Sequence, residues 1–71
     1  MSKDPTAVVI GKNLREARHD KLLTQAEVAT RIDKKPNYYA KIERGEATPS
    51  LKTFEKIVHT LETQAAKILP F

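Results

Sequence analysis

Apolar residues recur along this chain in short helical bursts separated by polar breaks. Ile10, Leu14 and Ala17 fall at i, i+4 and i+7, one face of a helix, while Lys12, Arg15, Glu16 and His19 lie mostly elsewhere. Asp4-Pro5 puts a capping acid before a proline at the first helical position, so a helix is predicted over about 5–20. Gly11 inside it costs ~1 kcal/mol relative to alanine; it either permits close packing or is simply tolerated. Leu22-Leu23 then bring the chain back to the core.

Thr24 and Glu27 have capping-box spacing, which starts a second helix over about 24–32, with Ala26, Val28, Ala29 and Ile32 as its small or apolar contacts. Asp33-Lys34-Lys35 is a polar break, with Asp33 suited to a left-handed turn. Pro36 fits the first position of a third helix, 36–44, stopped by Gly45. Tyr39 and Ile42 share one face of it. Ser50 caps a fourth helix, 51–61, in which Leu51, Phe54, Val58 and Leu61, with Ile57 beside them, form a core stripe. A short fifth helix, 64–69, ends at Pro70. With no strand or repeat in the pattern, the prediction is a single all-α domain over 1–71, five short helices with a helix-turn-helix at 24–45.

Size narrows what this fold can be. A chain of 71 residues makes one small domain, whose core alone rarely supplies more than ~3–5 kcal/mol. It has no cysteine, so disulfides and thiolate metal sites are excluded. His19 and His59 are far apart in sequence and read as ordinary surface histidines, so no metal or other cofactor is expected. An oligomer is the remaining way to add stability. No apolar run approaches the ~20 residues that cross a bilayer, and Ala7–Ile10 is too short for a signal peptide. A cytoplasmic protein, nucleoid-associated when bound to DNA, is the expectation.

The net charge of +4 matters only because it is concentrated. Between Arg31 and Arg44 there are five basic residues and two acids, so this stretch carries most of the excess. With Tyr39 and Ile42 turned to the core, the rod geometry of the third helix turns Pro36, Asn37, Ala40, Lys41 and Arg44 outward. Such a face suits a DNA major groove. Asn37 can bond adenine at two edges, Lys41 can donate to guanine, Ala40 can rest on a thymine methyl, and Tyr38 can touch a base or phosphate from the side.

Several groups of residues taken together, Leu23-Thr24-Gln25, Val28-Ala29, Ile32, Tyr39 to Gly45, Thr48-Pro49-Ser50-Leu51, Phe54, Ile57 and Leu61, resemble the Xre/Cro-type, lambda repressor-like helix-turn-helix domains. Ile10-Gly11, Leu14-Arg15 and Arg18 resemble their first helix. The chain departs from that pattern at Asp33, Lys34, Lys35 and Tyr39, where the family usually has glycine, an apolar residue, a small cap, and isoleucine or valine. The resemblance implies phosphate contacts from Thr24 and Gln25 at the start of helix 2 and from the amides of Lys52 and Thr53 at the start of helix 4, with Lys35 and Arg44 flanking the groove. It also implies that Gln25 braces helix 3, and that Arg18 pairs with Glu43, explaining an acid on a DNA-facing helix.

At the C-terminus, Ile68, Leu69 and Phe71 are apolar with little chain left to cover them. One of them closes the core; the others meet a two-fold mate or fold back. A two-fold homodimer would set two reading helices about 34 Å apart, matching a palindromic operator in double-stranded DNA. The first functional reading is therefore a sequence-specific, repressor-like transcriptional regulator. The second is a protein-binding adaptor, since Ile32 to Pro36 also resembles the turn of the multiprotein bridging factor coactivators. An enzyme is not expected: no catalytic set or phosphate loop is present, and so small a domain leaves little room for a ~300 Å³ pocket.

Overall fold

The computed structural model describes residues 4–71. Five helices follow in order, α1 (Pro5–Asp20), α2 (Gln25–Arg31), α3 (Pro36–Glu43), α4 (Leu51–Thr60) and α5 (Ala65–Ile68), with no strand among the described residues. The starts of α1 to α4 are fixed by local chemistry. The Asp4 side chain accepts from the Thr6 amide at 2.9 Å, with Pro5 following as the first helical residue. Thr24 and Glu27 form a reciprocal capping box, 2.9 and 3.0 Å. Ser50 accepts from the Thr53 amide at 3.2 Å. Lys35 occupies the cap position of α3 without a side-chain hydrogen bond, and Pro36 sets the helix instead.

Helices α1 to α4 stop by left-handed turns. Leu22, Asp33, Gly45 and Glu62 have φ of 57°, 59°, 76° and 51°. At the α2–α3 turn this lets the Lys34 amide reach back to the Ala29 carbonyl at 2.9 Å. Asp33 tolerates the conformation because its short polar side chain strains it less than a bulky one would. Gly45 has no such latitude: a Cβ there would lie 2.8 Å from the Val8 Cα.

Leu14, Val28, Ala29, Ile32, Tyr39, Ile42, Phe54, Ile57, Val58, Leu61 and Ile68 make one continuous core. Each large aliphatic contributes ~1.5–3 kcal/mol by burial, a large share of what a domain this size can hold. Three apolar positions depart from the sequence expectation. Leu22 is 90% exposed, because the left-handed turn that ends α1 points it outward; only Leu23 packs on the core. Leu51 is 85% exposed at the first turn of α4, so the buried stripe begins at Thr53 and Phe54. Ala26 lies on the exposed side of α2, and Val28 and Ala29 face inward.

Gly11 has a definite role. A Cβ on it would fall inside the van der Waals shell of the Ile42 carbonyl oxygen and 2.5 Å from that of Glu43. The backbones of α1 and α3 therefore touch at Gly11. That contact holds α3 at a fixed depth against the rest of the domain.

Candidate nucleic-acid interface

Two faces of α3 are chemically opposite. Tyr39, Ile42 and Glu43 are buried, whereas Pro36, Asn37, Lys41 and Arg44 are exposed. Ala40 and Tyr38 sit between these extremes, half-buried at the margins of the outer face. The Lys34 ammonium lies 5.8 Å from the centroid of the Tyr38 ring, a cation–π distance that holds a positive charge beside the helix start. That contact escaped the sequence reading, although the four-residue spacing of Lys34 and Tyr38 was visible in the chain.

The buried face is locked by charge. Arg18 of α1 donates from Nε to Glu43 Oε2 at 2.7 Å and from Nη2 to Oε1 at 3.0 Å. Its Nη1 donates to the Leu23 carbonyl at 2.8 Å, and Gln25 Nε2 donates to Glu43 Oε1 at 3.0 Å. One carboxylate thus ties α1, α2 and α3 together. Burial alone would raise the Glu43 pKa, but Arg18, then the nearby Tyr39 hydroxyl, then Gln25 outweigh it and hold the acid below its usual range. The Glu43 hydrogen bond raises the Arg18 pKa against burial, so the pair is ionised throughout the working pH range. The Leu23 carbonyl is a partner that no side-chain pattern could have disclosed.

The expected phosphate contacts divide. Lys35 and Lys52 are exposed and free to reach outward. Gln25 is half-buried, with its amide turned to Glu43. Thr24 is exposed, but its hydroxyl and amide are both engaged by Glu27. Arg44 is exposed and holds Glu46 through two contacts of 3.2 Å, which offset part of its charge. Thr53 is buried, and its amide donates to the Ser50 cap at 3.2 Å.

The C-terminal residues also separate. Ile68 is 2% exposed and closes the core, with the Asn13 side chain donating to its carbonyl at 2.8 Å, so it is not a surface for a mate. Leu69 is half-buried and Phe71 is 87% exposed. With Ile10, Leu51, Phe54 and Val58 they line an open apolar groove of about 700 Å³. The groove is larger than the chain length suggested, because the tail does not fold flat onto α4. Among the described residues no group of three or more His, Asp or Glu could hold a metal ion. No described helix is long and apolar enough to cross a membrane.

This arrangement, a short helix, a left-handed turn and a second helix with a buried inner face and a polar outer one, is a helix-turn-helix. The Helix-turn-helix family pattern matches residues 14–68, and the chain belongs to that family. It is 39% identical over 54 residues to multiprotein-bridging factor 1 of Candida albicans, covering 76% of this chain and 36% of that protein. It is 31% identical over 62 residues to the immunity repressor protein of Bacillus phage phi105, covering 87% of this chain and 43% of the repressor. The chain therefore spans well under half the length of these relatives. Among solved structures, the clp gene regulator ClgR from C. glutamicum superposes with a TM-score of 0.87 at 27% identity, covering 94% of this chain and 86% of that one.

Proposed function

We propose that this chain binds double-stranded DNA sequence-specifically, with α3 in the major groove, and serves as a repressor-like transcriptional regulator. One observation carries the reading. The inner face of α3 is fixed by Tyr39, Ile42 and the Arg18–Glu43 pair, so Asn37 and Lys41 stand exposed on a rigid rod with Lys34 and Lys35 beside them. Rigid placement is what base readout requires, because a bidentate contact to a base edge tolerates little angular error. Asn37 and Lys41 are the readers, with Tyr38 and Ala40 at the margin. Lys35, Lys52, Gln25 and Arg44 are the backbone contacts, and Thr24 acts through the cap it forms. Similarity to a phage immunity repressor supports the same reading.

The homodimer belongs to this proposal. Phe71, Leu69 and the groove they border offer an apolar surface away from the reading face, and a second copy of the chain is its proposed occupant. A two-fold pair would read a palindrome.

A second reading, an adaptor that binds protein partners, draws on the 39% identity to multiprotein-bridging factor 1. Selection of bound sequences from a random duplex pool separates the two. Recovery of a palindromic motif supports the regulator. Salt-sensitive retention of the pool with no enriched motif would overturn sequence-specific reading and favour the adaptor.

A further inference from the structure

Two side chains from other helices, Arg18 and Gln25, donate to the Glu43 carboxylate, and a third group stands near it without a formed hydrogen bond. Tyr39 lies one turn before Glu43 on the inner face of α3, where side chains four apart are neighbours. It is 0% exposed. Among the described residues, its hydroxyl is the buried side-chain polar atom that has no hydrogen-bond partner. The hydroxyl is nonetheless near enough to Glu43 and Arg18 for both to act on its ionisation; burial first, then the Glu43 carboxylate, pushes the phenol far above its usual range. It therefore stays a neutral O–H donor beside an anion whose Oε1 already accepts from Arg18 Nη2 and Gln25. Buried donors without partners are uncommon and costly. One isolated inside an otherwise satisfied cluster points to a state in which it is used.

Gln25 provides that state. It is half-buried at the first position of α2, at the edge of the proposed DNA-facing surface. Its amide has only two N–H donors, one of them committed to Glu43. A phosphate pose that rotates the committed N–H away leaves Oε1 with Arg18 Nη2 as its remaining donor. We propose that the Tyr39 hydroxyl is the reserve donor for Glu43: when Gln25 turns to a phosphate, Tyr39 takes its place on Oε1, and the Arg18–Glu43 lock persists through binding. Tyr39 is thus a positioning residue that acts through Gln25, and the inference rests on the DNA-binding reading above. Only hydrogen bonds are exchanged, and the phenol keeps its proton. An aliphatic side chain at this position would fill the core as well, but would leave Glu43 with Arg18 alone in the bound state.

A double-mutant cycle of Tyr39→Phe and Gln25→Ala in the full chain tests this, with urea unfolding read without DNA and affinity read on the selected duplex. In the wild-type background, Tyr39→Phe should leave the unfolding equilibrium unchanged or shifted toward folded. In the Gln25→Ala background the hydroxyl already serves Glu43, so Tyr39→Phe should shift it about tenfold or more toward unfolded. On DNA, Tyr39→Phe should weaken binding about ten- to a hundredfold when Gln25 is present, the worth of one hydrogen bond to a charged group, and have no effect on affinity when Gln25 is absent. Equal effects in the two backgrounds, or a loss of stability from Tyr39→Phe alone, would overturn the exchange while leaving DNA binding intact. If wild-type protein binds no duplex, the DNA reading falls and takes the phosphate-driven exchange with it.

Discussion

Arg18 reaches from α1 to hold Glu43 of α3 by both carboxylate oxygens, at 2.7 and 3.0 Å, and both residues are 8% exposed. The value of such a pair lies less in its net attraction than in what removal of one partner leaves behind. Glu43→Ala strands a buried guanidinium and typically costs about 3–5 kcal/mol. That is comparable to everything a core of this size supplies, ~3–5 kcal/mol. The variant is expected to melt at least ~12 °C lower, or to be unfolded at room temperature, by circular dichroism. Replacing both partners, Arg18→Met with Glu43→Leu, should recover most of the loss. A melting point for Glu43→Ala within two or three degrees of wild type, on the order of 0.5 kcal/mol, would contradict a structural role for the pair.

Gly11→Ala sets two effects against each other. Alanine is favoured over glycine inside a helix by about 1 kcal/mol. Here, however, the new methyl meets the backbone carbonyls of Ile42 and Glu43, which cannot swing aside as a flexible side chain would. Overpacking of this kind costs about 1–3 kcal/mol, and often more when backbone must move. The steric effect should win, giving a net loss of stability in urea unfolding and reduced DNA affinity from a displaced α3. A gain in stability would mean that α1 and α3 separate without cost.

The buried cluster also fixes two pH limits. Glu43 has a lowered pKa in the folded state, so its contribution is complete above the unfolded value of 4.5 and is lost as pH falls through the folded one. Glu27, held low by the Thr24 backbone and hydroxyl, titrates in the same direction from an exposed site. Tyr39 behaves in the opposite sense. Its folded pKa is raised, so its contribution is complete below the unfolded value of 10.0; above it the unfolded chain sheds a proton that the folded chain keeps, and stability falls. Denaturant unfolding across pH should therefore show an acid limb and an alkaline limb. Tyr39→Phe should shallow the alkaline limb. An unchanged alkaline slope in that variant would contradict the assignment of the limb to Tyr39.

What the chain disclosed and what it hid follow a physical division. The starts of α1, α2 and α4 were legible because each cap is written within four residues, as in Thr24 and Glu27. The outer face of α3 was legible because Tyr39 and Ile42 fix its register. The exposure of Leu22 and Leu51 was not, since it depends on a backbone turn and on which distant segment covers a helix end. Nor could sequence assign Ile68 to the core and Phe71 to the surface, because that is decided by where five helices finish. Thr53 shows a different limit: a serine cap takes the amide of the second or the third helical residue, so which of the Lys52 and Thr53 amides Ser50 engages is set by the geometry of the turn and not by the sequence.

Readers and backbone contacts should fail in different ways. The side chains of Asn37 and Lys41 are exposed and make no hydrogen bond among the described residues, so Asn37→Ala and Lys41→Ala should leave the melting point almost unchanged. Each should cost about 1–3 kcal/mol on the selected duplex and relax preference at one base position, because a lost base contact removes discrimination together with affinity. Lys35→Ala and Lys52→Ala should instead weaken all duplexes alike and reduce the slope of log affinity against log salt by about one. Titrations of a duplex panel at several salt concentrations give both quantities at once. If Asn37→Ala lowered affinity uniformly, with its base preferences intact, α3 would not be reading bases through that residue. Asn37 would then join Lys35 among the backbone contacts, and the reading face would have to be redrawn around Lys41 and Tyr38.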